Sequence, residues 1–170
     1  FAPPYQLIDV PRARARTLGA GMGSMRPTLA SCGKTCVVAA WLDKRDFLAG
    51  YDVYAAFSQD GGRSFGRNIK VQDSFGDNVS QWHAAVAANP TGRVVAVWDD
   101  NRDGTADVWL SNWDGTQFSD NVGVPGATGP GAQTDPVIYL DVSDRLHIAW
   151  LERSEAGGTR LKSASAVWKK

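Results

Sequence analysis

The sequence predicts an antiparallel all-β domain built from about three repeated units of four strands each. Two observations carry that prediction. Three apolar runs end in the same residue: Val37-Val38-Ala39-Ala40-Trp41, Val94-Val95-Ala96-Val97-Trp98 and Leu146-His147-Ile148-Ala149-Trp150, with 57 and 52 residues between successive Trp positions. Between two strand-like segments, residues 51–57 and 68–71, lies Ser58-Gln59-Asp60-Gly61-Gly62-Arg63-Ser64-Phe65. Paired Gly accepts positive φ and an Asp side chain can bond turn amides, so this octet marks a hairpin turn. Regular self-similarity at this period is the mark of a repeat architecture. A false repeat in some other β-sandwich is the structural alternative.

Each unit can be laid out in register from its Trp. The innermost strands are Arg26-Pro27-Thr28-Leu29-Ala30, His83-Ala84-Ala85-Val86-Ala87 and Asp135-Pro136-Val137-Ile138-Tyr139. The Trp-ended runs are the second strands. Third strands follow at Asp52-Val53-Tyr54, Asp107-Val108-Trp109 and, with a fainter pattern, Thr159-Arg160-Leu161. Outermost strands follow at Ile69-Lys70-Val71 and Val122-Gly123-Val124, giving units at 26–72, 83–125 and 135–168 within one domain. The Gly- and Pro-rich run 125–132 cannot be the interior of an element and connects the second unit to the third. Arg12-Ala13-Arg14-Ala15-Arg16-Thr17-Leu18 alternates with period two, as an edge strand with a solvated Arg face would; a polyanion site is the other reading.

The turns between first and second strands check the alignment. Cys32 and Cys36 fall in register with Asn89 and Arg93, and with Asp141 and Arg145. Positions that face each other across a short turn can hold a disulfide, an amide–guanidinium contact or an ion pair. A Cys32–Cys36 disulfide is therefore expected, which implies an oxidising compartment, extracellular or periplasmic. Two reduced thiols are the alternative. No second Cys pair exists and His83 and His147 lack ligand spacing, so neither a metal nor another cofactor is expected. The chain carries 18 Lys and Arg against 18 Asp and Glu. That balance offers no field for nucleic acid or an anionic membrane. No apolar run approaches the roughly 20 residues of a membrane span. The sequence opens Phe1-Ala2-Pro3-Pro4 without Met, as a processed or partial chain would, and no signal peptide is legible in it.

The octet resembles the Asp-box of sialidase-like (BNR-repeat) β-propellers, Ser-x-Asp-x-Gly-x-Thr/Ser followed by an aromatic. Ser58, Asp60, Gly62, Ser64 and Phe65 stand at the pattern positions, and Trp113-Asp114-Gly115-Thr116-Gln117-Phe118 is a degenerate second copy. The resemblance implies that the box is a structural turn between the two outermost strands of a blade, away from the active face. It places the starts of the innermost strands and the loops after each Trp on the opposite face. Arg26, Trp82, His83, Arg102, Asp135 and Arg153 are the ligand-binding candidates there. Guanidinium binds carboxylate bidentately and aromatic faces stack on sugar rings, so a carboxylated sugar would suit them. Trp41, Asp43 and Arg45 recur as Trp98, Asp100 and Arg102, however, and a set repeated blade by blade holds blades together. The expectation is that Arg45 and Arg102 bridge to carboxylates near their own loops.

Met25-Arg26-Pro27-Thr28-Leu29 and Lys44-Arg45-Asp46 are similar in order to the first blade of catalytic sialidases, which makes Arg26, Arg45 and Asp46 the catalytic candidates. The Tyr nucleophile, its Glu partner and two further Arg of that family are not identifiable here. The expected function is an exported, non-catalytic propeller module that recognises a glycan or protein ligand through its loop face. An exo-sialidase-like glycoside hydrolase, or a piece of one, is the first alternative, and a structural subunit of a larger assembly the second. Three blades cannot close a ring, the third unit lacks a fourth strand, and residues 12–18 precede Arg26 at nearly the spacing of an outermost strand. A homodimer by strand exchange, forming a six-bladed ring, meets all three facts; remaining blades on another chain are the rival.

Overall fold

The computed structural model describes Pro4, Leu7 and residues 23–45, 50–73 and 79–168. Among these residues there are eleven strands and no helix, so no helix is long and apolar enough to cross a membrane. The first sheet runs β1 (Ser24–Ser31), β2 (Val37–Asp43), β3 (Asp52–Ser58), β4 (Ile69–Lys70). The second runs β5 (Trp82–Ala88), β6 (Val94–Asp100), β7 (Asp107–Asn112), β8 (Val122–Gly123). The third has β9 (Ala132–Leu140), β10 (Arg145–Arg153) and β11 (Thr159–Val167). Each sheet is an antiparallel meander, and β5 lies against both β1 and β9. The edge strand Arg12 to Leu18 and the completion of the third sheet by a partner lie outside the described residues.

Period-two alternation sends successive residues of each second strand to opposite faces, and both faces of β6 are buried against neighbouring sheets. Val38, Ala40 and Leu42 of β2 pack with Ala96 and Trp98 of β6. Val95 and Val97, on the other face of β6, pack with Ile148 and Trp150 of β10. The repeated Trp is thus seated on the sheet before its own. Trp41 faces away from the second sheet and is buried with Ala39, Tyr54 and Ala56 beneath Leu7 and Phe65. The outer face of the third sheet has no such cover, and Val137, Tyr139 and Leu161 are exposed on it.

Polar groups beside each Trp lock the strand ends. The Trp98 indole N–H donates to Asp100 at 2.9 Å, and Arg102 donates to the same carboxylate at 2.6 and 2.9 Å. The Arg102 guanidinium also lies over the Trp109 ring and donates to Asn121. Trp41, Asp43, Arg45, Tyr54 and Asn68 reproduce this constellation in the first sheet. The third sheet departs from it: Glu152 pairs with Lys162 at 2.9 Å, and the Trp150 indole nitrogen has no partner among the described residues.

At the opposite end, the octet forms the connection from β3 to β4. Asp60 accepts the amides of Arg63 and Ser64 at 2.9 Å each, and Ser58 Oγ accepts the amide of Gly62 at 2.8 Å. The Ser64 hydroxyl and amide, then the Ser58 hydroxyl and the Arg63 amide, all donate to Asp60 and hold its carboxyl well below the usual range. Gly61 and Gly62 take φ of 75° and 87°, and the Gly61 amide reaches Thr35 across the turn closed by the Cys32–Cys36 disulfide. The amides of Cys32, Asn89 and Asp141 each donate to the carbonyl four residues on, so the three turns are one geometry.

Two expectations need correction. Asn89 makes no amide–guanidinium contact with Arg93, and Asp141 no ion pair with Arg145. In so short a turn the side-chain oxygens of Asn89 and Asp141 meet the backbone amides of Arg93 and Arg145 first. The Arg93 side chain crosses instead to Asp144 and the Trp168 ring of the third sheet. The last strand extends to Val167, well past the expected Leu161. Its alternation is obscured because Ser163 and Ser165 occupy the uncovered face.

Candidate functional site

The site follows from one irregularity that recurs in every sheet. Met25 pairs with Leu42 and Thr28 with Ala40, so Arg26 and Pro27 together face Trp41 alone. His83 and Ala84 likewise face Trp98, and Asp135 and Pro136 face Trp150. Two residues against one is a β-bulge, which bends the strand and re-aims its side chains. The first residue of each bulge is left-handed: φ is 54° at Arg26, 48° at His83 and 55° at Asp135. This conformation costs a non-Gly residue about 1–2 kcal/mol, and the following Pro27 and Pro136 disfavour it further. Strain at the same position in three sheets, held by three unlike side chains, belongs to the architecture. What differs between sheets is the chemistry placed there.

The three bulges line one shallow depression of about 280 Å³ where the innermost strands meet, with Pro27, Ala84, Ala85, Pro136 and Val137 as its apolar wall. Arg26 is exposed and forms no ion pair among the described residues. His83 lies between two carboxylates: Nδ1 is 2.7 Å from Asp99 Oδ1, and Nε2 is 3.2 Å from Asp135 Oδ1. The Asp135 amide also donates to Asp99 Oδ1 at 3.1 Å, which fixes the third bulge to the second sheet. Asp99 is 2% exposed. Burial pushes its carboxyl up, against the attraction and hydrogen bond of His83, and the nearby Asp135 charge adds to the rise.

The structure therefore brings together three of the expected ligand residues, Arg26, His83 and Asp135. Trp82 stands next to His83, 36% exposed, with its ring 5.4 Å from that of Tyr51. Arg45 and Arg102 are committed to Asp43 and Asp100, so their guanidinium groups are not part of the depression. Arg153 is exposed at the end of β10, away from its lining. Asp46 lies outside the described residues. The Asp60 turn sits at the opposite end of the strands from the bulges, as strand register requires.

The sequence places Asp99 in the polar loop after Trp98, on the face of the innermost strand starts, but does not single it out as a site residue. The signal was present: counted from the Trp, its position is filled by Leu42 and Leu151 in the other two sheets. A buried carboxylate where the repeat has Leu is a departure that packing does not explain. Among the described residues no cluster of His, Cys, Asp and Glu could hold a metal ion.

No family model matches the chain, and no curated protein does. Solved structures do. An alpha-L-arabinanase of Penicillium chrysogenum, complexed with arabinobiose, aligns with a TM-score of 0.59 at 15% identity, over 83% of this chain and 46% of that one. A structure described as a glycoside hydrolase aligns with a TM-score of 0.45 at 10% identity, over 86% of this chain and 54% of that one. This chain spans about half the length of the solved structures it matches.

Arg26 tests the strain argument, because it combines left-handed geometry with an exposed side chain. Arg26→Gly should raise unfolding stability by about 0.5–1 kcal/mol, strain relief exceeding the added unfolded-state entropy. Urea midpoints at equal slope would show it; an unchanged or lower midpoint would contradict it. The first of the two likenesses shows architecture alone, and it is enough to conclude that the three sheets are consecutive blades of a β-propeller.

Proposed function

We propose that this chain is the ligand-recognising part of an exported, non-catalytic, sialidase-like propeller, and that it takes a carboxylated sugar in the depression between its innermost strands. One observation carries this reading. Three strained bulges turn a free guanidinium, an imidazole and a half-exposed carboxylate toward one concavity with an apolar wall. Arg26 would take the ligand carboxylate as a charge-assisted pair, while Asp135, oriented by His83, would take ring hydroxyls. The Cys32–Cys36 disulfide supports an oxidising compartment. Titration calorimetry with glucuronate and with methyl glucoside tests the reading. Glucuronate should bind more tightly, and Arg26→Ala or His83→Ala should weaken it about tenfold or more, the worth of one charged hydrogen bond. Equal binding of both sugars, or no loss in either variant, would refute it.

Asp99 and Asp135 on two sides of one imidazole favour a second reading, a glycoside hydrolase, since such enzymes work with paired carboxyl groups. Turnover of a fluorogenic sialoside, abolished in Arg26→Ala and in Asp46→Asn, would establish it over the first.

The exposed face of the third sheet and the edge of β11, which has no partner strand among the described residues, support association with a second copy, which would supply a ring's worth of blades. Light scattering should then report about twice the 18.3 kDa chain mass. A folded monomer would rule the dimer out.

A further inference from the structure

The contacts of His83 cannot all be made by separately ionised groups. A neutral imidazole has one N–H, so it can donate to one carboxylate and must turn a lone pair toward the other. Both ring nitrogens of His83 lie within hydrogen-bond reach of carboxylate oxygens, Asp99 on β6 and Asp135 on β9. The two bonds close together only when the three groups hold one proton more than a neutral imidazole and two carboxylates. That proton belongs to the cluster, because the two hydrogen bonds share it among all three groups. Among the described residues, the remaining charged group facing the depression is Arg26 on β1.

Counting charge then gives the consequence. With the shared proton, Asp99, His83 and Asp135 carry one negative charge, which Arg26 balances. Without it, the depression is net negative and repels an anion. Asp99 creates this condition, since a Leu in its place, as at positions 42 and 151, would leave His83 one carboxylate and one free nitrogen.

We infer that Asp99, acting through His83, is a specificity-determining residue: the Asp99–His83–Asp135 cluster takes up a proton together with a carboxylated ligand and so selects acidic over neutral sugars. This rests on the reading of the depression as a sugar-acid site. Linkage fixes the direction. Ligand favours the protonated cluster, so affinity falls as pH rises, by up to about tenfold per pH unit for one linked proton. Asp99 and His83 are positioning groups, and Asp135 and Arg26 are the ones that meet the ligand.

Calorimetry of glucuronate binding in phosphate and in Tris at one pH measures the proton directly, because the two buffers differ in ionisation enthalpy. Wild-type protein should show uptake of a substantial fraction of one proton, repeated at several pH values. His83→Gln, polar but unable to titrate, and Asp99→Asn should bind more weakly with uptake near zero. A purely structural role for Asp99 would lower affinity without changing the proton count. Glucuronate binding to wild type with no buffer dependence at any pH would overturn the inference and leave the sugar-acid site standing. Absence of any glucuronate binding would overturn both.

Discussion

The fold depends on a Trp held by its indole N–H and on the carboxylate that holds it. Asp100 is fully enclosed, and it accepts from Trp98 and from Arg102 while Arg102 stacks on Trp109. An unpaired internal carboxylate costs several kcal/mol, so Asp100 is viable here only with the indole and guanidinium donors that hold it. The unit joins the end of β6 to β7, and through Asn121 it reaches Asp73 of the preceding blade. One local constellation thereby fixes a blade's upper edge and its angle to its neighbour.

The depression between the innermost strands is a by-product of that edge. Each bulge lies across from a buried Trp, clamped through its indole in the first two blades, which keeps the second strand straight while the innermost strand takes up the extra residue. Left-handed strain at Arg26, His83 and Asp135 persists because burial of Trp41, Trp98 and Trp150 outweighs it. A free strand would relax; a strand pinned against a buried indole cannot. The same geometry in three blades then becomes a set of mounting points, and the chain varies only what is mounted.

Much of this was legible in the residues. The recurrence of Trp41, Trp98 and Trp150 located all three blades, and aligning the slots at Cys32, Asn89 and Asp141 matched turns that share one backbone bond. Arg26, His83 and Asp135 stood out because they do not repeat. The strain at those positions was not legible, since no Gly marks it; it arises from pairing against the Trp, a tertiary fact. Asp99 was hidden by Asp100, whose recurrence as Asp43 drew attention one residue away. The partners of Arg93 were unreadable too, because Asp144 and Trp168 reach it from the next blade.

The two kinds of blade edge in one chain allow the central claim to be measured internally. Asp100 is a buried acceptor for the Trp98 and Arg102 side chains, whereas among the described residues Glu152 in the third blade pairs with the half-exposed Lys162 alone. Chemical denaturation of Asp100→Ala and Glu152→Ala compares them directly. If the clamped Trp organises the fold, Asp100→Ala should cost about 3–5 kcal/mol, while Glu152→Ala costs less than about 1 kcal/mol. Equal losses, or a loss below about 1 kcal/mol for Asp100→Ala, would show that apolar packing of the blades suffices and that the clamp does not hold the structure.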